Sequence, residues 1–193
     1  MRAEQKLLKA IEESETQKVR HRVRTKHMDI YLEYSSTISD FLGKGERVAA
    51  SVIQPRYYAE LLAWALQRHI EIEGWRVTRT LGYLFPEPVY IAVNTSYGEY
   101  HNALRNGSLL LEREDARLVV TIDADLRSSG KVVVTGLACG GKRASEFANS
   151  IHTIVKEQNF YRGKKLELGG RIRFLKPPSR TWDNIVLNAE IKD

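Results

Sequence analysis

Two runs of β-branched and apolar residues, Leu118 to Leu126 and Lys131 to Thr135, are joined by only four residues, Arg127-Ser128-Ser129-Gly130. A short polar link with a glycine able to take positive φ makes this an antiparallel hairpin. The hairpin commits the middle of the chain to a sheet, and the neighbouring segments extend it. Arg76 to Leu81, Val89 to Val93 and Leu109 to Leu111 have strand texture, as do Leu166 to Leu168 and Arg171 to Phe174 around Gly169-Gly170. Ser96 to Arg105 reads as a short helix ending at Asn106-Gly107, a dipeptide that equally suits a hairpin turn.

Helical spacing marks two segments that can cover such a sheet. Behind Pro55, the residues Tyr58, Leu61, Leu62, Ala65, Leu66, His69 and Ile70 fall on one face of a helix reaching about Glu73. Ser145 to Gln158 places Phe147, Ala148, Ile151, Ile154 and Val155 on one face. Upstream, Met1 to Leu42 has neither Pro nor Gly, and apolar residues recur at roughly helical spacing until Gly43 to Gly45 closes the region. Within it, Lys18, Arg20, Arg22, Arg24 and Lys26 alternate with Val19, His21, Val23 and Thr25, which is strand periodicity with one basic face. The fold class expected is α+β: an antiparallel sheet packed with helices, preceded by a mainly helical N-terminal arm. The divisions are an arm over 1–44, an α+β body over 45–175 and a Pro-containing segment over 176–193.

Composition narrows the function classes. With 193 residues, 42% hydrophobic and 28% charged, the chain suits one domain with an arm and neither a disordered nor a fibrous protein. No run approaches the apolar length of a membrane span, and Met1-Arg2-Ala3-Glu4-Gln5-Lys6 opens no signal-peptide segment, so a cytoplasmic location is expected. The single Cys139 excludes disulfide scaffolds and thiolate zinc folds. The five histidines are scattered without metal-ligand spacing, so no metal is expected. A formal net charge of +6 at pH 7 favours acidic partners.

One segment approaches a nucleotide-binding motif. Gly136-Leu137-Ala138-Cys139-Gly140-Gly141-Lys142 has phosphate-loop spacing up to its lysine, between a strand and a helix. The next residue is Arg143, where a hydroxyl is needed to hold the nucleotide-bound magnesium. The strand ending in Asp123 has the texture of a metal-binding partner strand but precedes the loop and pairs as a hairpin with the strand that leads into it. The plainer account is a Gly-rich β-to-α turn exposing Lys142 and Arg143, compatible with a weak anion contact. Cys139 reads as structural, and Glu12-Glu13, Glu112-Glu114-Asp115 and Asp123-Asp125 read as charged surface. The run Lys18 to Lys26 carries enough cations to track phosphates, yet lacks interleaved aromatics for base stacking.

The final residues, Ser179-Arg180-Thr181-Trp182-Asp183-Asn184-Ile185-Val186-Leu187-Asn188-Ala189-Glu190-Ile191-Lys192-Asp193, resemble the lead-in of AAA-type ATPase modules. These open with an aromatic and acidic residues, then Ile with a small or apolar neighbour, then an acidic-rich helix. Asn159-Phe160-Tyr161-Arg162-Gly163-Lys164 is loosely similar to N-terminal regions of bacterial AAA proteins. The resemblance implies that Asn184, Ile185 and Val186 form part of an adenine pocket once an ATPase module follows. Asn184 stands where the family often has Asp, so backbone and apolar contacts are implied there rather than a charged one.

On this reading the body is a substrate- or adaptor-recognition or regulatory domain ahead of a hexameric ATPase. Pro177-Pro178 would serve as a stiff linker. The 193 residues themselves are expected to be no enzyme and to carry no cofactor. The full-length protein would bind ATP and Mg and hydrolyse ATP to remodel a protein client. The alternative is a nucleic-acid-binding module using Lys18 to Lys26, and a homotypic contact through the arm is a third reading.

Overall fold

The structure is a computed structural model that describes residues 30–83, 87–114, 116–124, 129–140, 142–168 and 171–176. Its centre is a six-stranded antiparallel sheet packed with helices, as the sequence predicts. The elements in order are helix α1 (residues 30–42), strand β1 (Arg47–Gln54), helix α2 (Ala59–Ile72) and strands β2 (Arg76–Leu81), β3 (Val89–Ser96), β4 (Glu99–Arg113), β5 (Ala116–Asp123) and β6 (Gly130–Leu137). Helix α3 (Arg143–Glu157) and the short strands β7 (Leu166–Leu168) and β8 (Ile172–Phe174) follow. The Pro55 break becomes a 3₁₀ turn, Arg56–Tyr58, leading into α2.

The expected hairpin is β5–β6, with Asp123 opposite Lys131 and Val119 opposite Thr135. Strand order is β1-β6-β5-β4-β2, and β3 shares the outer edge of β4 with β2. Those two strands lie end to end: Val89 of β3 faces Asn106, and Leu81 of β2 faces Ser108.

The helix expected over Ser96 to Arg105 is instead strand. The reversal falls at Tyr97-Gly98, where Gly98 has φ 79°, and β4 then runs unbroken through Asn106-Gly107. Gly107 is needed where β2 and β3 meet on β4. Its φ is 152°, and an added Cβ would lie 2.8 Å from the Leu81 carbonyl oxygen and 3.3 Å from Pro88 Cβ.

Alternation along the strands builds two buried faces. On one, Leu109, Leu111, Leu118, Val120, Ile122, Val132 and Val134 meet Leu61, Leu62 and Leu66 of α2 and Phe147 and Ile151 of α3. Each such fully buried side chain contributes roughly 1.5–3 kcal/mol relative to exposure. On the other, α1 lays Leu42, Ile38 and Phe41 on Leu110, Val119 and Leu137. The Tyr34 hydroxyl there shares a hydrogen bond with Ser108 Oγ at 2.6 Å and approaches Thr121 Oγ1 at 3.3 Å. The described part of the predicted arm is therefore a third layer on the sheet, and its C-terminus closes with the Gly43 N–H donating to Ser39 O at 2.9 Å.

The 159–164 segment is a turn packed by aromatics. Phe160 stands edge-on to Trp64 at 5.1 Å and against Tyr161 at 4.6 Å, tying β8, through Phe174, back to α2.

Candidate functional site

Three connections converge at one end of the sheet: the β4–β5 reversal, the β6–α3 turn, and the link from α2 into β2. Two cavities open there, of about 280 Å³ and about 390 Å³, and both are lined by Glu114 and Arg143. Glu114 takes φ 54° at the reversal, which turns the chain tightly. The smaller cavity also contacts Leu42, Glu112, Arg117 and Cys139; the larger contacts His69, Glu73, Trp75, Arg113 and Glu146.

The cationic groups of this cleft are engaged with neighbours. Arg113 lies over the Trp75 ring at 4.8 Å and donates Nη1 to Glu73 Oε2 at 2.6 Å and to Glu73 O at 3.1 Å. Arg117 lies over Phe41 at 5.7 Å, and donates to Phe41 O and to Glu112 Oε1, each at 3.2 Å. Glu112 also accepts from Arg76 across the β2–β4 pair, and the bonds from Arg117 and Arg76 hold its carboxyl below the usual range. His69 is buried with its ring edge-on to Phe147 at 4.5 Å, and burial is the main cause that lowers its pKa. The cleft is a mixed-charge pocket with an apolar floor.

The glycine loop does not have the form of a phosphate cradle. Leu137 leads directly into a 3₁₀ turn, Ala138–Gly140, with Lys142 at the N-cap of α3. Strand β6 is antiparallel to both neighbours, β1 and β5. Asp123 pairs with Lys131, five residues before Gly136, and so sits roughly 17 Å along the strand from the loop. It accepts a hydrogen bond from Asn106 Nδ2 at 3.3 Å instead. Gly136 is explained by packing: an added Cβ would lie 2.9 Å from Leu118 Cδ2 and 4.0 Å from Ala144 Cβ, so its absence lets α3 close on the sheet. A Cβ on Gly140 would meet nothing within 4 Å.

Of the residues singled out from sequence, the structure brings Cys139 and Arg143 into one cleft with Glu112 and Glu114. Lys142 is exposed beside them. Lys18, Arg20, Arg22, Arg24, Lys26, Asn184, Ile185 and Val186 lie outside the described residues, as do Asp115, Asp125 and Gly141. Among the described residues, no group of three or more His, Cys, Asp or Glu is arranged to hold a metal ion, and no helix is long and apolar enough to cross a membrane. Sequence reasoning missed His69, Trp75 and Arg113 as cleft residues, because the β2–β4 pairing and the packing of α3 against α2 bring together residues far apart in sequence.

Comparison with models of known protein families found no match, and comparison with curated proteins found no similar chain.

Proposed function

We propose that this chain is a substrate- or adaptor-recognition or regulatory domain carried ahead of an AAA-type ATPase module. In the full-length protein that module binds ATP and Mg, assembles as a hexamer and remodels a protein client. The observation that carries the reading is the residue order from Trp182 to Asp193, with its aromatic, acidic and Ile-Val steps in the sequence of an ATPase lead-in. Asn184, Ile185 and Val186 would then contribute to the adenine pocket.

The body supports the same division of labour. Its glycine loop is shaped by helix–sheet packing, and its cleft cations are held by neighbouring carboxylates and rings. Chemistry is therefore assigned to the following module and contact to the body. The test is the reading frame beyond Asp193: a GxxxxGK[ST] motif is expected within roughly 50 residues. A frame that continues into an unrelated fold would overturn the proposal.

A further inference from the structure

The two edges of the sheet are built differently. On the β2/β3 side the pairing shifts register between Val77 and Arg79, between Val89 and Tyr90 and between Asn94 and Ser96, and β2 carries Arg76 and Arg79. Bulges and charges of this kind are how sheets discourage another strand from adding. Strand β1 at the other edge has no register shift, and its one charged residue is Arg47 at its start. It pairs with β6 without a shift over all eight residues, and between Arg47 and Gln54 it reads Val-Ala-Ala-Ser-Val-Ile. Among the described residues nothing pairs with its outer side.

Helix α3 makes this edge a groove. One flank of the helix, Glu146, Phe147 and Ser150, lines the larger cavity towards α2. The opposite flank, Ser145, Asn149, His152 and Lys156, is exposed at i, i+4, i+7 and i+11 spacing. It borders β1, since His152 Nδ1 lies 3.5 Å from Gln54 Nε2. A strand laid against β1 would thus have backbone donors and acceptors on one side and a polar helix flank above. The small Ala49 and Ser51 leave room on the opposite face of β1.

The rim has one dominant charge. Lys44, Arg47, Arg56 and Lys131 are exposed around β1, with Glu46 beside Arg47 and Asp123 across from Lys131 as the nearby carboxylates in the strands and their flanks. We propose that the groove between β1 and α3 captures an extended acidic segment of a protein partner, which adds as a seventh strand. This rests on the recognition-domain reading and names its contact surface. Backbone bonds to β1 would supply the affinity, and acidic side chains facing the rim the selectivity. A second copy of the chain fits less well, because antiparallel pairing of two β1 strands sets Lys44 and Arg47 of each beside Arg56 of the other.

The probes are a labelled octapeptide of alternating glutamate and valine and its lysine–valine counterpart, added to the full 193-residue chain. Anisotropy should rise with the acidic peptide only, and the double variant Arg47→Glu, Arg56→Glu should weaken that binding about tenfold or more. Amide exchange read by NMR gives the geometry. In the free chain, alternate β1 amides facing away from β6 should exchange quickly, and the acidic peptide should slow those same amides. Three outcomes overturn the proposal: no binding at millimolar peptide, equal binding of both peptides, or slow exchange of every β1 amide in the free chain. In the last case sedimentation separates a second copy from a segment of the same chain as the occupant. A Walker motif found downstream would leave the recognition-domain reading standing even if the groove fails.

Discussion

Gly136 and Gly140 both lie in the segment with phosphate-loop spacing, yet only one has steric work to do. Gly136→Ala drives a methyl against Leu118 under the first turn of α3 and should cost about 1–3 kcal/mol, whereas Gly140→Ala should stay within roughly 0.5 kcal/mol. Equal losses in urea melts of the two variants would contradict that difference. Two buried titratable groups set the pH response. Glu60 is 2% exposed, its Oε1 has no partner, and burial raises its pKa above 4.5 despite the opposing fields of Arg171 and Arg105. The folded chain thus holds this proton to higher pH than the unfolded chain. Stability from Glu60 is complete below about pH 4.5 and is lost as pH rises through the folded value. His69 has the opposite sign. Its folded pKa lies below 6.5, so stability is complete above that pH and falls as acid protonates the buried ring. Glu60→Gln should therefore raise the unfolding free energy from urea melts at pH 7 more than at pH 4, by on the order of 1 kcal/mol. His69→Phe should reduce the loss on moving from pH 7 to pH 5. The test is a series of melts across this range, and parallel pH profiles for wild type and both variants would sink the assignment.

Among the elements, α1 shows most directly what its sequence could and could not reveal. Its helical spacing and its glycine stop are readable, but its docking is not, because the docking depends on the outward faces of strands distant in sequence. Leu42 is buried against Leu110 and Val119, and the Tyr34 hydroxyl meets Ser108 and Thr121. Leu42→Ala should cost about 2–4 kcal/mol and Tyr34→Phe about 1 kcal/mol. Thermal unfolding measures both, and a Leu42→Ala variant as stable as wild type would mean that α1 does not pack on the sheet in solution. The hairpin β5–β6 and the helices α2 and α3 were legible because local periodicity and burial agree in them. Ser96 to Arg105 was misread for a physical reason: Tyr100-His101-Asn102-Ala103-Leu104 lacks β-branched residues and is held extended by pairing with β3. Asn106-Gly107 carries a turn signal, yet the glycine answers a backbone approach within a strand.

For the whole molecule, the fold and the proposed function draw on different parts of the chain. The body reveals an antiparallel sheet between helical layers, while the functional reading rests on a tail outside the described residues. Of the candidate site, only the β6–α3 turn had a sequence signal; the convergence of His69, Trp75 and Arg113 upon it is a product of strand order and of the packing of α3 against α2. The proposal makes a direct demand on the 193-residue chain. Calorimetric titration with Mg-ATP should give no saturable heat at micromolar concentrations, unchanged in Lys142→Ala. Micromolar binding lost in that variant would return the ATP site to the glycine loop.

Strand β4 has a consequence for how this fold can vary. With β2 and β3 laid along one side and β5 along the other, it acts as a ruler against which three neighbours set their phase near residues 106–108. Removing one residue there would exchange inside for outside on one side of the cut, since side chains alternate with a period of two. The tip at Tyr97-Gly98 lies clear of the stretch shared with β2 and β5, so the β3–β4 hairpin can lengthen or shorten by matched pairs without disturbing the sheet behind it. Related chains that differ in reach should differ at that tip, in even steps, and keep the ruler's middle at constant length.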